Sequence, residues 1–572
     1  MASQQHERDK TQQCLMLGTP EANKKKHIMW WICWRLVAVL VVLFGLPVIT
    51  ATASHRPPTA DRYSEALHKA LLFFNAQKSG RLPKSNGIPW RGDSGLSDGS
   101  DAKDGLVGGY YDGGSNVKFH FPMAFSMTLL SWSVIEYGAK YKAVGQYDHV
   151  RELIKWGTDY LLLTFNSSAS TIDKVYAQVT NNISYILTRQ DAKTSTIAEL
   201  FSAPDLGGEI AAALAAASIV FRKDNPAYSS KLVRGAATMY KFARRANTRT
   251  LYSSGQPDVE PYYKSTSYWD EYMWSAAWMY YATGDAGYLH FATDPRLRKN
   301  ARSLVGDVVD LFVFSWDSKV PGAQLLLSRL RMFGRNRGGY PYEYEQSLAA
   351  YRNDTGDNMC MYLPRFAAFN FTKGGMAMFK FDKDKGQPLQ YVVANSFVAA
   401  LYADYLEASN ITGWYCWSKF MSASDLRAFA RSQLNYILGD NPKKMSYVVG
   451  VRNKYPRRLH HRGTSTPHNG IKYSCTGGYK WRDSRYADPN LLTGAIVGGP
   501  NRNDGFTDSR NGAGGQNEPT LAGNAGLVAA LVAVTGSGRG AGASALDKST
   551  MFTAVPHKFP HGKRWNYPSF AE

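Results

Sequence analysis

Helix-length runs rich in Ala, Leu and Met recur along most of this chain, with small residues where neighbouring helices would meet and few stretches of period-2 alternation. They span residues 63–76, 122–137, 150–165, 209–221, 230–246, 268–282, 301–313, 396–408, 425–438 and 521–534. In the first, Leu67, Ala70, Leu71 and Phe74 share one helical face. Strands too scarce to build a sheet, spread over a 572-residue chain, leave a helical array as the simplest way to bury that surface. The expected body is a single all-α domain, a closed array of helices with long loops at one end. Residues 94–115, rich in Gly, Asp and Ser, form a loop too long for a mere connector, and loops of that length are usually functional or disordered.

Residues 28–49 are the only membrane-length apolar run, broken by Arg35 and preceded by Lys24, Lys25, Lys26 and His27. The positive flank places the first residues in the cytosol and the remainder outside. The organisation expected is a cytosolic tail (1–27), a transmembrane signal-anchor (28–49), a linker (50–62), a catalytic-type domain (63–545) and a C-terminal tail (546–572), a single-pass type II membrane protein. The competing expectation is a cleaved signal peptide, because Ala51-Thr52-Ala53 resembles a small-residue cleavage site. Sequons at Asn166, Asn182, Asn353, Asn370 and Asn410, all in the body, fit glycosylation on the luminal or extracellular side. Five cysteines are too few for a disulfide scaffold, and a Cys416–Cys475 pair is the expected bridge. The net charge of +21 comes without a nucleic-acid-reading motif, so it points to an acidic surface such as wall polysaccharide or anionic lipid. No nucleotide-binding glycine motif and no zinc-type Cys/His spacing is present.

The chemistry concentrates between residues 504 and 527, DGFTDSRNGAGGQNEPTLAGNAGL. Asp508 and Glu518 flank a glycine-rich run, and Pro519 holds Glu518 extended and suits the first turn of an Ala-rich helix. Two acids on one loop suit a general acid and its orienting partner; a solvated acidic loop is the plain alternative.

Several stretches together resemble the plant glycoside hydrolase family 9 endo-β-1,4-glucanases, and among them the membrane-anchored KORRIGAN type. They are WRGDSGLSDG from Trp90, LVGGYYD from Leu106, FPMAFSMTLLSWSVIEY from Phe121 and FSWDSK from Phe314. YILGDNPKKMSYVVG from Tyr436, YPRRLHHRG from Tyr455, CTGGYKWRD from Cys475 and NEPTLAGNAGLVAALVA from Asn517 follow in the same order. The resemblance implies an (α/α)6 barrel with an open substrate cleft and hydrolysis of β-1,4-glucan with inversion, in plant cell-wall assembly or remodelling and with a cell-wall synthesis complex as a possible partner. It makes Glu518 the general acid, Asp508 its support, His460 and Arg462 the groups that grip the sugar, and Trp316 a glucose-stacking platform. No cofactor is implied; Asp270 and Glu271 are either barrel-rim polar groups or part of a calcium site like that of some relatives.

The departures fall on catalytic ground. Where the family usually has Asp-Ala-Gly-Asp, this chain has Asp112-Gly113-Gly114-Ser115, so serine stands at the position of the water-activating base. Loss of a general base typically costs about 10²–10⁴-fold, unless Asp112 serves as a poorer base. Ile186 stands where relatives stack a tryptophan, and the loop before Glu518 carries an extra residue and lacks an aromatic. The alternative to an active endoglucanase is therefore a glucan-binding or scaffolding membrane protein that has lost turnover.

Overall fold

In the computed structural model the described residues are 59–556, apart from 101, 103, 182–194, 246–248, 304–309, 335–341, 367, 381–386, 472, 512–514 and 537–545. The tail, the expected membrane span and sequon Asn182 lie outside them, as does the departure at Ile186.

Six helices form the inner ring: α2 (His120–Ala143), α4 (Pro204–Phe221), α6 (Trp269–Thr283), α9 (Val320–Gly334), α11 (Pro388–Ala408) and α15 (Leu521–Val534). Each packs on the next, and α15 closes the ring on α2. Every residue of α4 and of α15 is buried, because a helix apolar all round has no face to give to water. Composition alone would let α4 cross a membrane, yet it is wholly enclosed by protein.

Outside them lie α1 (Thr59–Gln77), α3 (Tyr147–Leu161), α5 (Pro226–Ala243), α7 (Ala286–Ala292), α8 (Pro295–Ser303), α10 (Glu345–Tyr362) and α12 (Ala423–Ile437). Most are amphipathic, and they pack on the inner ring: α1 on α15, α3 on α2, α5 on α4 and α10 on α9. The six inner helices and this outer layer, in which the short α7 and α8 follow one another, make the (α/α)6 barrel. Its centre is aromatic, with Trp132 meeting Trp274, Trp278 and Phe397 edge-to-face at 5.3–5.9 Å.

Among the barrel helices, α7, α9 and α10 were not expected from the sequence, and neither were two short helices outside the rings. Of the segment expected as one helix over 301–313, residues 301–303 belong to α8 and Asp310–Phe312 form a 3-10 turn, while 304–309 lie outside the described residues. Short strands also occur. β1 (Lys118–Phe119), β2 (Val175–Asn181) and β3 (Ser195–Leu200) form an antiparallel sheet, and β4 (Gly413–Cys416) and β5 (Lys419–Ser422) a hairpin.

The long loop over 94–115 is folded. Lys118, fully buried, pairs with Asp98 at 2.7 Å and donates to the Leu106 carbonyl at 2.9 Å, pinning two points of the loop to the start of α2.

The disulfide joins Cys360 to Cys416, which corrects the expected Cys416–Cys475 pair. The β4–β5 hairpin packs on α10, where Trp414 donates to the Gly356 carbonyl at 3.1 Å, and this brings Cys416 beside Cys360. Cys475 starts a separate helix, α14 (Cys475–Arg482). Asn166, Asn353, Asn370 and Asn410 are all exposed.

Candidate active site

The site is built where the loop after α1 meets the start of α15. Asp112 pairs with Val117 across a tight turn, Asp112-Gly113-Gly114-Ser115-Asn116, closed by an Asp112 N–H to Val117 carbonyl bond of 2.8 Å. Gly113 has φ +61°, a left-handed conformation that favours glycine. At Gly114 a methyl group would lie 1.7 Å from the His460 carbonyl oxygen, so only glycine fits. The Gly114 carbonyl accepts from Arg462 N–H at 2.9 Å, which ties the turn to the His-His-Arg segment.

Asp112 is buried at 2% exposure. Its Oδ1 accepts from Leu521 N–H at 2.8 Å, in the first turn of α15, and its Oδ2 from the Tyr263 hydroxyl. Burial pushes its carboxyl up to about 6; the Leu521 and Tyr263 donors oppose the rise, and the neighbouring Glu518 carboxylate adds to it. Burial, with Asp112 opposite, also holds the Tyr263 phenol well above its ordinary range, so it stays a donor.

Glu518 is half-buried directly over this turn. Its Oε1 accepts from Gly114 N–H at 3.3 Å, and its Oε2 from Gln387 Nε2 at 3.2 Å. Thr520 caps α15 by accepting from Gly523 N–H at 3.1 Å. Pro519 therefore precedes the cap and does not open the helix as expected, because the threonine side chain satisfies the first-turn donor.

Asp508 takes a different place from the one expected beside Glu518. Its two oxygens accept the N–H groups of Arg457 and Arg458, each at 3.0 Å. It thus fixes the segment leading to His460, whose own N–H donates to the Asn517 carbonyl at 3.1 Å. Asp508 acts on Glu518's loop through this backbone. His460 Nδ1 donates to the Arg510 carbonyl at 2.9 Å. Arg510 is itself clamped by Asp488 at 2.6 Å.

Arg462 opens the short helix α13 (Arg462–Ser465) beside the turn. Ser115 and Arg462 line a pocket of about 110 Å³ together with Trp90, Tyr111, His461 and Ile471. Trp316 is only 7% exposed, edge-on to Tyr263 at 4.9 Å and to Phe121 at 6.1 Å. It braces the tyrosine that binds Asp112.

Asp270 and Glu271 lie in the core, where a cation is already supplied by the chain. Lys319 Nζ meets Glu271 at 3.0 Å and Glu209 at 3.4 Å, and Lys319 N–H donates to Asp270 at 2.8 Å. All three charged side chains of the Lys319–Glu209–Glu271 cluster are fully buried.

Sequence reasoning missed Tyr263, Gln387, Gln77 and His461. Gln77 donates to the Tyr111 and Gly113 carbonyls at 3.1 Å each and accepts from His461 Nε2 at 2.8 Å. Burial drives His461 down to about 3, so it is neutral and serves as a strut. Only His461 had a local signal, its place inside the His-His-Arg run.

A closed double ring of helices that presents two neighbouring carboxyl groups at one mouth defines a glycoside hydrolase of the helical-barrel class. The chain matches Glycosyl hydrolase family 9 over residues 63–531 and belongs to that family. It is 65% identical to endoglucanase 12 of Oryza sativa subsp. japonica over 590 aligned residues, covering 98% of this chain and 93% of the relative. Endoglucanase 25 of Arabidopsis thaliana is 50% identical over 584 residues, covering 96% and 92%. Among solved structures, the endoglucanase of the termite Nasutitermes takasagoensis is similar, with 32% identity, a TM-score of 0.69 and coverage of 83% of this chain and 99% of that one. Endoglucanase CelQ of Clostridium thermocellum, solved with cellobiose and cellotriose, has 29% identity, a TM-score of 0.66 and coverage of 83% and 71%.

Proposed function

We propose that the chain is an endo-β-1,4-glucanase that hydrolyses internal bonds of cellulose-like glucan with inversion. The contact of Glu518 with the Asp112–Gly114 turn carries the reading, since it puts an acid and a second carboxyl at one point of the barrel mouth. Glu518 donates its proton to the glycosidic oxygen as the C1–O bond breaks. A water adds to C1 from the opposite face, and its proton passes to Asp112. An acid at about 6 is a better base near neutral pH than an ordinary aspartate, and each of its oxygens keeps a lone pair after accepting one donor. Inverting enzymes hold the two groups roughly 6.5–9.5 Å apart so that a water fits between them.

His460 and Arg462 grip the sugar at the cleavage point, and Trp316 contributes through the packing of Tyr263. Ser115, at the position of the family's usual base, hydrogen-bonds the water or the sugar. The exposed sequons and the Cys360–Cys416 disulfide support a body on the oxidising side of a membrane. With the apolar run over 28–49, they support a type II anchor of the KORRIGAN kind at the plasma membrane or along the Golgi–endosome route, working in wall assembly alongside the synthesis machinery.

The test is reducing-sugar release from soluble cellulose derivatives by the purified body, compared with Glu518→Gln and Ser115→Asp. Wild-type hydrolysis abolished by Glu518→Gln is expected, with a gain in Ser115→Asp. Glucan binding without turnover, restored by Ser115→Asp, would instead establish the scaffolding role.

A further inference from the structure

Glu518 stands at the end of a glycine-rich run, on a backbone that does little by itself to fix a carboxyl group. Gly515, three residues before it, has φ +69°. Among the described residues, the side chain that hydrogen-bonds Glu518 from outside its own loop is that of Gln387, the residue before Pro388 at the start of α11. Gln387 is the N-cap of α11, with φ −118° and ψ 61°, and Pro388 after it keeps its backbone out of the helical region.

Two bonds decide which way its amide faces. Gln390, one turn into α11, donates from Nε2 to Gln387 Oε1 at 3.3 Å, so Gln387 Nε2 is the atom turned towards Glu518 Oε2 at 3.2 Å. The walls are glycine. A methyl group on Gly515 would sit 2.9 Å from Gln387 Nε2, and one on Gly498 would sit 3.0 Å from Gln387 Cγ. Backbone bonds lace the same region together, from Leu389 N–H to the Gly498 carbonyl at 3.1 Å and from Gly499 N–H to the Gln516 carbonyl at 3.0 Å. The start of an inner-ring helix is thus a rigid base from which one amide reaches the acid.

We infer that Gln387, oriented by Gln390, is a positioning residue that aims the Glu518 carboxyl at the glycosidic oxygen. This rests on the proposed role of Glu518 as proton donor. With one oxygen on Gly114 N–H and the other on Gln387, rotation of the carboxyl about its last bond is blocked from both sides. The proton is then presented in one direction. An acid misplaced by about 1 Å costs on the order of 10²-fold, so an amide that removes this freedom acts on kcat and little on binding.

The experiment exploits the leaving group. A sugar oxygen needs the proton, whereas 2,4-dinitrophenolate leaves without it. The kcat and KM of Gln387→Met, Gln387→Glu and Gln390→Leu are measured on cellopentaose and on 2,4-dinitrophenyl β-cellobioside. The expected result for Gln387→Met is a kcat on cellopentaose at least about 10-fold lower, with KM and dinitrophenyl cellobioside turnover within about twofold of wild type. Gln387→Glu, equal in size but with an acceptor facing an acceptor, is expected to lose at least as much. Gln390→Leu, which frees the amide to flip, is expected to show a smaller loss of the same pattern. Equal losses on both substrates, or no loss on either, overturn the inference. Should the wild type hydrolyse neither substrate, the proposed activity fails. The positioning role is then read from crystal structures of the wild type and Gln387→Met, where an unmoved Glu518 carboxyl overturns it and a rotated one upholds it.

Discussion

Gly113 and Glu518 are in such close register that a methyl group on Gly113 would come within 2.8 Å of Glu518 Oε1. The carboxyl occupies space that alanine, usual in the family at this position, would partly fill. Glycine at this position is what lets the acid settle onto the turn.

Replacing Gly113 by alanine should therefore move the acid. The backbone penalty at φ +61° is about 1–2 kcal/mol, small enough for the barrel to fold. The displaced carboxyl is expected to lower kcat about 10–100-fold, measured on soluble cellulose derivatives. Gly114→Ala should be far worse, because its methyl group would meet the His460 carbonyl at 1.7 Å, and soluble expression is expected to collapse.

Asp112→Asn separates stability from activity. The Asp112 carboxyl sits at about 6 in the folded protein against an ordinary 3.8, so its ionised form is disfavoured on folding. Its contribution therefore turns more favourable as pH falls through 6 towards 3.8. Asparagine imitates the neutral acid, and the variant should be more stable than wild type by about 1–3 kcal/mol at pH 7, with the gain gone below pH 4. Denaturant titrations at both pH values measure it. Hydrolysis should fall about 10²–10⁴-fold over the same range.

Lys319→Met should damage the fold. It leaves Glu209 and Glu271 buried without their shared cation, and breaking such a group costs about 3–5 kcal/mol. Adding Glu271→Gln should recover part of the loss in chemical denaturation, since one uncompensated charge is removed.

Removing the disulfide with Cys360→Ser should cost about 2–4 kcal/mol, because the bridge closes a loop of sequence separation 56. Cys475→Ser should leave the unfolding midpoint unchanged. Peptide mapping under non-reducing conditions should recover Cys360 linked to Cys416.

Helix content was legible in the sequence because apolar periodicity is local, and the barrel class was legible from the family resemblance. A run such as residues 521–534 is apolar all round and must be enclosed wherever it falls. Glu518 and Asp112 were legible as candidates, from motifs held by neighbouring residues. The disulfide partner was not, since Cys416 reaches Cys360 only because the β4–β5 hairpin folds onto α10. Nor were Tyr263 and Gln387, which approach the two carboxyls from segments more than a hundred residues away with no motif around them.

Asp508 marks the same boundary. Its identity was evident from the loop, but its carboxylate turns to the N–H groups of Arg457 and Arg458. Sequence by itself determined most of the helical segments and which acids are available, since both follow from side-chain chemistry at short range. Tertiary structure alone decided which donors each carboxylate meets, because hydrogen bonds and burial depend on segments that only ring closure brings together.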